Sequence, residues 1–146
     1  MNPTIQDFIQ GKRFAIVGVS RSGKKFGNSI YTEMKARGYQ LFVVHPEMKE
    51  IDGQPCYTSL SDLSDKVDGV IICVPPQKAG QVLRDAAQAG ITRIWLQQGA
   101  QSPEVLALAK ELNLHPVTGK CILMYVDPVT SIHSWHRTFA KVFGQY

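Results

Sequence analysis

The stretch Phe14 to Ile30, FAIVGVSRSGKKFGNSI, decides the fold. Four apolar residues, Phe14 to Val17, have the makeup of a buried strand. Gly18-Val19-Ser20-Arg21-Ser22-Gly23 then breaks the run with a Gly/Ser-rich turn, and apolar residues resume at helical spacing from Ile30. The turn is a G-x-S-x-x-G variant of the G-x-G-x-x-G dinucleotide fingerprint, with Ser20 standing where the second glycine belongs. Backbone N–H groups around Ser20 to Gly23, unpaired at the mouth of a helix, face an anion favoured by the positive end of the helix dipole. Arg21, Lys24 and Lys25 add charge of the same sign.

Outward from this turn, short runs rich in Val and Ile alternate with segments of helical period, the pattern of β-α-β units around a parallel sheet. Strands are expected at Phe14 to Gly18, Gln40 to His45, Gly69 to Val74, Arg93 to Leu96 and His115 to Thr118. The third is apolar throughout, as a strand covered on both faces is. Ile30, Met34 and the stem of Lys35 mark a helix ending at Gly38, and Val82, Leu83, Ala86 and Ala87 mark another ending at Gly90. Ser102-Pro103 caps a third, with Val105, Leu106, Ala109 and Leu112 as its inward stripe. Asn2-Pro3 opens a short N-terminal helix in the same way, and Ile132, Trp135, Phe139 and Phe143 mark a C-terminal one over about 131–143. The spacing predicts an α/β fold, a three-layer Rossmann-like doubly wound sheet, mainly parallel, of about five strands. It is expected to form a single domain over residues 1–146.

A chain of 146 residues buries roughly two thirds of its unfolded surface and needs no metal or disulfide to hold it. Cys56, Cys73 and Cys121 are odd in number and far apart, which argues against a disulfide framework and a structural zinc site and points to a reducing compartment. The N-terminus lacks the apolar core of a signal peptide, and the longest apolar run, Val70 to Val74, is too short to cross a bilayer. A cytoplasmic protein without a membrane partner is expected. The net charge of +4 comes from scattered Lys and Arg with no basic arm, so nucleic acid is not expected as a partner; a small polyanion is.

In an open sheet ligands lie beyond the carboxyl ends of the strands, where the strand order reverses. Five loops are expected there: Gly18 to Lys25, His45-Pro46, Val74-Pro75-Pro76, Gln97-Gln98-Gly99 and Gly119-Lys120-Cys121. An NAD site needs Asp or Glu at the end of the second strand, where His45-Pro46 stands, and Glu47 lies beyond a proline expected to turn the chain away. A P-loop fails on spacing and on the missing magnesium-binding hydroxyl. Cys73 reads as a small buried hydrophobe and Cys56 as an incidental loop thiol. His133 and His136 have helical spacing but no acidic or cysteine partner, which favours a packed or solvated pair over a metal site.

VGVSRSGKKFGNSIYTEMKARGY, VVHPEMKEIDG, VDGVIICVPP and ITRIWLQQGA, in that order, resemble the small single-domain CoA-binding proteins, which are similar to the CoA-binding amino-terminal domain of the succinyl-CoA synthetase alpha subunit. The resemblance spans nearly the whole chain and implies a Rossmann-like domain holding coenzyme A as its small-molecule ligand. It implies that Gly18, Val19, Ser20, Arg21, Ser22 and Gly23 hold phosphate of the CoA nucleotide, with Lys24 and Lys49 as further phosphate charges. It sets His45 and Pro46 where the family more often has Asn-Pro. Val74, Pro75 and Pro76 match the loop near adenine and ribose, Gln97, Gln98 and Gly99 match the fourth loop, and Cys121 falls at a common cysteine position. The synthetase works through a phosphorylated histidine of a second domain, and no residue here corresponds to it. Binding without catalysis is therefore expected, with an NAD(P)-binding oxidoreductase-type domain as the alternative and an interaction module that kept only the fold as a third.

Overall fold

The computed structural model describes residues 3–126. Helix α1 (Pro3–Ile9) leads into strand β1 (Arg13–Val17), and helix α2 (Phe26–Ala36) returns the chain to strand β2 (Gln40–Val44). A small antiparallel hairpin follows, β3 (Glu50–Ile51) and β4 (Gln54–Pro55), then a 3-10 turn over Leu60–Leu63. Strand β5 (Gly69–Ile72), helix α3 (Pro76–Gln88), strand β6 (Ile94–Gln97), helix α4 (Pro103–Glu111) and strand β7 (Val117–Lys120) complete the alternation, and a 3-10 turn over Ile122–Met124 closes it.

The five longer strands form one parallel sheet in the order β2-β1-β5-β6-β7. The chain builds outward from β1 to β2, then crosses back to place β5 on the other side of β1. The strand order therefore reverses between β1 and β5, the place where open α/β sheets bind ligands. At the outer edge of β2, Tyr57 makes a one-residue parallel bridge to Val44. Its N–H donates to Val43 O and its carbonyl accepts from His45 N–H, both at 2.8 Å. A doubly wound sheet would carry its next strand here, and this chain reduces that strand to one residue.

Residue alternation along the strands sorts the core into two layers. Phe14 and Ile16 of β1, Ile71 of β5 and Trp95 of β6 face Ile5 and Phe8 of α1 and Ile30, Tyr31 and Met34 of α2. Ala15, Val70, Ile72, Ile94 and Leu96 face Ala79, Leu83 and Ala86 of α3 and Val105 and Ala109 of α4. All four residues of β5 are buried, and each of its isoleucines contributes about 2 kcal/mol by leaving water. The Phe8 ring stacks on Phe14 at 4.8 Å and tilts against Trp95 at 5.4 Å, seating α1 across the sheet.

The capping chemistry read from sequence is present in the helices. Ser102 Oγ accepts from Val105 N–H at 3.1 Å, with Pro103 opening α4. Gly38 and Gly90 adopt positive φ and end α2 and α3 in Schellman motifs, Tyr39 N–H reaching Met34 O and Ile91 N–H reaching Ala86 O.

Other expectations are corrected. The last strand is Val117–Lys120 rather than His115 to Thr118, because Pro116 has no N–H to give the sheet and a bulge at positive-φ Gly119 carries the pairing on to Lys120. Gly119 and Lys120 are thus strand, and the loop begins at Cys121. Strand β5 stops at Ile72, leaving Cys73 just past its end. Leu106 points outward, because the buried stripe of α4 runs through Val105 and Ala109. The segment from Gly53 to Tyr57, read as a loop, holds β4 of the hairpin, whose Asp52-Gly53 turn has positive φ at both residues. The cap at Asn2 and the helix expected over 131–143, with His133, Trp135 and His136, lie outside the described residues. Among the described residues no helix is long and apolar enough to cross a membrane, and no group of three or more His, Cys, Asp or Glu side chains is placed to hold a metal ion.

Candidate ligand-binding site

Backbone crowding shapes the first loop. Gly18 has φ 124°, and a Cβ there would lie 2.5 Å from the carbonyl oxygen of Cys73. A Cβ on Gly27, in the first turn of α2, would collide with Gly18 O. Gly18, Gly27 and Cys73 therefore meet backbone to backbone and pull the start of α2 onto the exits of β1 and β5. This contact by itself requires glycine at position 18. The close helix packing that the last glycine of a dinucleotide fingerprint generally supplies is supplied here by Gly27, whereas Gly23 has open space around it.

Ser20 explains why serine replaces the second glycine. Asn28 Oδ1 accepts from Ser20 N–H at 2.9 Å and from Ser20 Oγ at 3.0 Å, while Asn28 Nδ2 donates to Ser20 O at 3.0 Å. Ser20 Oγ also lies 2.9 Å from Ser22 Oγ, and Gly23 N–H donates to Ser20 O. The N–H groups of Ser20 and Gly23 are thus engaged within the loop, against the expectation that the whole turn is unpaired. Those of Arg21 and Ser22 in the loop, and of Phe26 and Gly27, have no acceptor among the described residues; for the last two this is what the first turn of a helix dictates. Lys25 is the N-cap of α2 and makes no side-chain cap bond. Val19 is buried in the core, so only its backbone belongs to the loop surface. Asn28 and Gly27 were missed in the sequence reading; the available signal was Gly27, three residues before Ile30 and seven before Met34 and so on the face they mark as inward, whereas the spacing does not set Asn28 on that face.

The second loop turns back toward the first. His45 Nδ1 accepts from Glu47 N–H at 3.0 Å and from Met48 N–H at 2.9 Å, and Met48 is buried. A cavity of about 520 Å³ opens between the loops, lined by Ser20, Arg21 and Gly23 on one side and by Glu47, Lys49 and Asp52 on the other, with Asn28 and Tyr31 of α2 between them. Glu47 therefore returns to the first loop instead of being turned away after Pro46. Lys49 lines the cavity, whereas Lys24 is exposed and outside its lining.

The remaining loops gather elsewhere along the same edge. Val74 leads to Pro75, the N-cap of α3, and Pro76, its first residue, lines a separate groove of about 910 Å³ between α3 and α4. Gln97 ends β6 and is 2% exposed; its Oε1 accepts from Ile122 N–H at 3.1 Å, and its Nε2 has no partner among the described residues. Gln98 N–H is taken by Lys120 O, and Gly99 N–H by Gln101 Oε1. Cys121 is half-buried and starts the 3-10 turn. Burial, and secondarily the nearby Cys121, push the Cys73 thiol up to about 12. Burial and then Glu50 also raise that of Cys56. Cys73, Gln97 and Cys121 thus stand at the carboxyl ends of neighbouring strands, while Lys120 lines a different cavity near α4.

Two sets emerge: a cavity between the first two loops, and a thiol and amide group over β5 to β7. Residues 12–127 match the family described as CoA binding domain. An ADP-forming acetate–CoA ligase of Methanocaldococcus jannaschii is 28% identical over 141 residues, which cover 90% of this chain and 19% of the ligase. A second such ligase, from Archaeoglobus fulgidus, is 34% identical over 91 residues, 61% of this chain and 14% of its own length. The chain thus spans less than a fifth of these relatives. Among solved structures, a conserved hypothetical protein from Pyrococcus furiosus superposes with a TM-score of 0.73 at 33% identity, covering 77% of this chain and 97% of that one. With the loop order and the sheet reversal in agreement, the chain belongs to the CoA-binding domain family.

Proposed function

We propose that this protein binds coenzyme A along the carboxyl edge of its sheet and does so without catalysis of its own. The nucleotide phosphates sit against the Arg21 and Ser22 N–H groups and the open first turn of α2, with Arg21 and Lys49 supplying charge. The pantetheine arm runs past β5 and β6 toward Cys121. What carries this reading is the α2 N-terminus beside the cavity between the first two loops, where unpaired N–H groups and the helix dipole favour an anion. Gln97 Nε2, which has no acceptor among the described residues, adds a buried donor at the same edge of the sheet.

Glu47 in the cavity favours a second reading. A carboxylate beyond the second strand is what a nicotinamide dinucleotide uses to hold its ribose, although CoA offers a ribose hydroxyl as well. Calorimetry with CoA, dephospho-CoA and NADH separates the two. CoA carries about four negative charges when its phosphates are ionised, so its affinity is expected to exceed that of NADH and to fall with salt. Tighter binding of NADH than of CoA overturns the proposal.

A further inference from the structure

The turn after β2 is closed by one ring nitrogen. His45 Nδ1 accepts two backbone N–H groups, from Glu47 and Met48. An imidazole nitrogen that accepts carries no hydrogen, so the ring's proton resides on Nε2. A flipped ring would present a carbon to both donors, which fixes the orientation. The root of the ring is anchored on the sheet, since His45 N–H donates to Tyr57 O. The chain beyond it is what the ring controls: Met48 is buried, Lys49 O accepts from Cys56 N–H at 2.9 Å, and Glu47 and Lys49 face Ser20 and Arg21 across the cavity.

We infer that His45 is a positioning residue for the ligand site, holding the wall of the cavity formed by residues 47–49 through an unprotonated Nδ1, and that protonation there releases the wall and weakens ligand binding. An imidazolium has N–H at both nitrogens, so the Glu47 and Met48 donors would face a third donor. The other titratable groups on the segments meeting around this turn are Glu47 and Lys49 in the turn, Glu50 and Asp52 in the hairpin, Cys56 and Tyr57 on the returning chain, Arg21 in the first loop and Tyr31 on α2. Asp52 is tied to Lys35 at 3.7 Å. The inference rests on the CoA reading for its ligand but not for its switch.

The test compares the wild type with His45→Asn and His45→Ala. An asparagine Oδ1 can accept the same N–H groups in an Asx turn and does not titrate in this range, whereas alanine offers no acceptor. CoA affinity, measured by calorimetry from about pH 8 to about pH 5.5, is expected to be within about 3-fold of wild type for His45→Asn at the upper end, and about 10-fold weaker for His45→Ala. On acidification the wild type should lose about 10-fold relative to His45→Asn. Titration of the ligand phosphates is common to both and cancels in that ratio. Parallel pH profiles for wild type and His45→Asn, or an unimpaired His45→Ala, overturn the inference.

Amide hydrogen exchange at Glu47 and Met48 in the ligand-free protein keeps its failure distinct from that of the CoA reading. Protection is expected to drop with acid in the wild type and to persist in His45→Asn, after correction for intrinsic rates. That result without any CoA binding would overturn the ligand and leave the switch supported. Unchanged protection would overturn the switch whatever the ligand.

Discussion

Asn28 grips Ser20 on three sides, its amide oxygen taking the Ser20 N–H and hydroxyl and its amide nitrogen reaching the Ser20 carbonyl. The helix thereby sets the shape of the loop that precedes it. Asn28→Asp keeps the acceptor but turns the donor into a second oxygen facing Ser20 O. A loss of about 2 kcal/mol of stability is expected for Asn28→Ala, and at least as much for Asn28→Asp, by urea denaturation. CoA affinity should fall in both. Unchanged stability in Asn28→Asp would show that the brace does not form in solution.

Gly18→Val and Gly27→Ala are expected to damage folding before they damage binding, because each new Cβ meets main-chain atoms, those of Cys73 in one case and of Gly18 in the other. A cost of about 3 kcal/mol is expected for Gly27→Ala, as for other overpacked sites. Gly23→Ala, in open space at φ +75°, should cost only the left-handed strain of about 1 kcal/mol. Thermal unfolding of the three variants checks the order. Equal stabilities for Gly27→Ala and Gly23→Ala would remove the packing argument.

The three thiols should separate by reactivity. Cys73, pushed up to about 12, is expected to resist iodoacetamide near pH 8, and Cys121 to react first. Given CoA disulfide, the Cys121 thiolate is expected to displace one CoA thiolate and keep the other CoA as a mixed disulfide that dithiothreitol reverses. Intact-mass measurement with peptide mapping reads both. An adduct confined to Cys56, or none, would leave Cys121 a structural residue.

Asp68 ties the start of β1 to that of β5, accepting from Lys12 N–H at 2.9 Å, Arg13 N–H at 3.0 Å and Arg13 Nη2 at 3.1 Å. Burial opposes its ionisation, yet these bonds and the Arg13 charge hold the carboxyl below the usual Asp range. A carboxyl lowered on folding stabilises above its unfolded value and loses that contribution as pH falls through the folded one. The stability gap between wild type and Asp68→Asn should be constant near neutrality and shrink below about pH 4. A gap that stays constant into acid would show that the carboxylate contributes nothing by its charge.

What the sequence made legible was mostly local. The apolar runs of β1 and β5, the Ser102 cap and the glycines after α2 and α3 announce themselves within a few residues. The frame of β7 did not, because Pro116 delays entry to the sheet and the bulge at Gly119 extends it, and both effects depend on β6 alongside. The same holds in the site. The first loop was recognisable as a strand-to-helix turn, but which of its N–H groups remain open depends on Asn28, the third residue of the helix that follows. Glu47 was misplaced because Pro46 was read as a departure, whereas the imidazole before it rewinds the chain. The Asp52-Gly53 hairpin carried a turn signal that its short strands obscured.

The excursion from His45 to Tyr57 leaves the sheet and rejoins it on the same rung, His45 N–H meeting Tyr57 O. Its entry and exit are therefore joined at the sheet, while buried Met48 and the core contacts of Ile51 and Cys56 hold its inner side. A segment pinned in this way has a fixed inner side and an exchangeable outer face. Changing its exposed residues, Glu47 and Lys49 among them, alters one wall of the cavity while the five-stranded sheet stays as it is, so the chemistry of that wall can drift at little expense to folding.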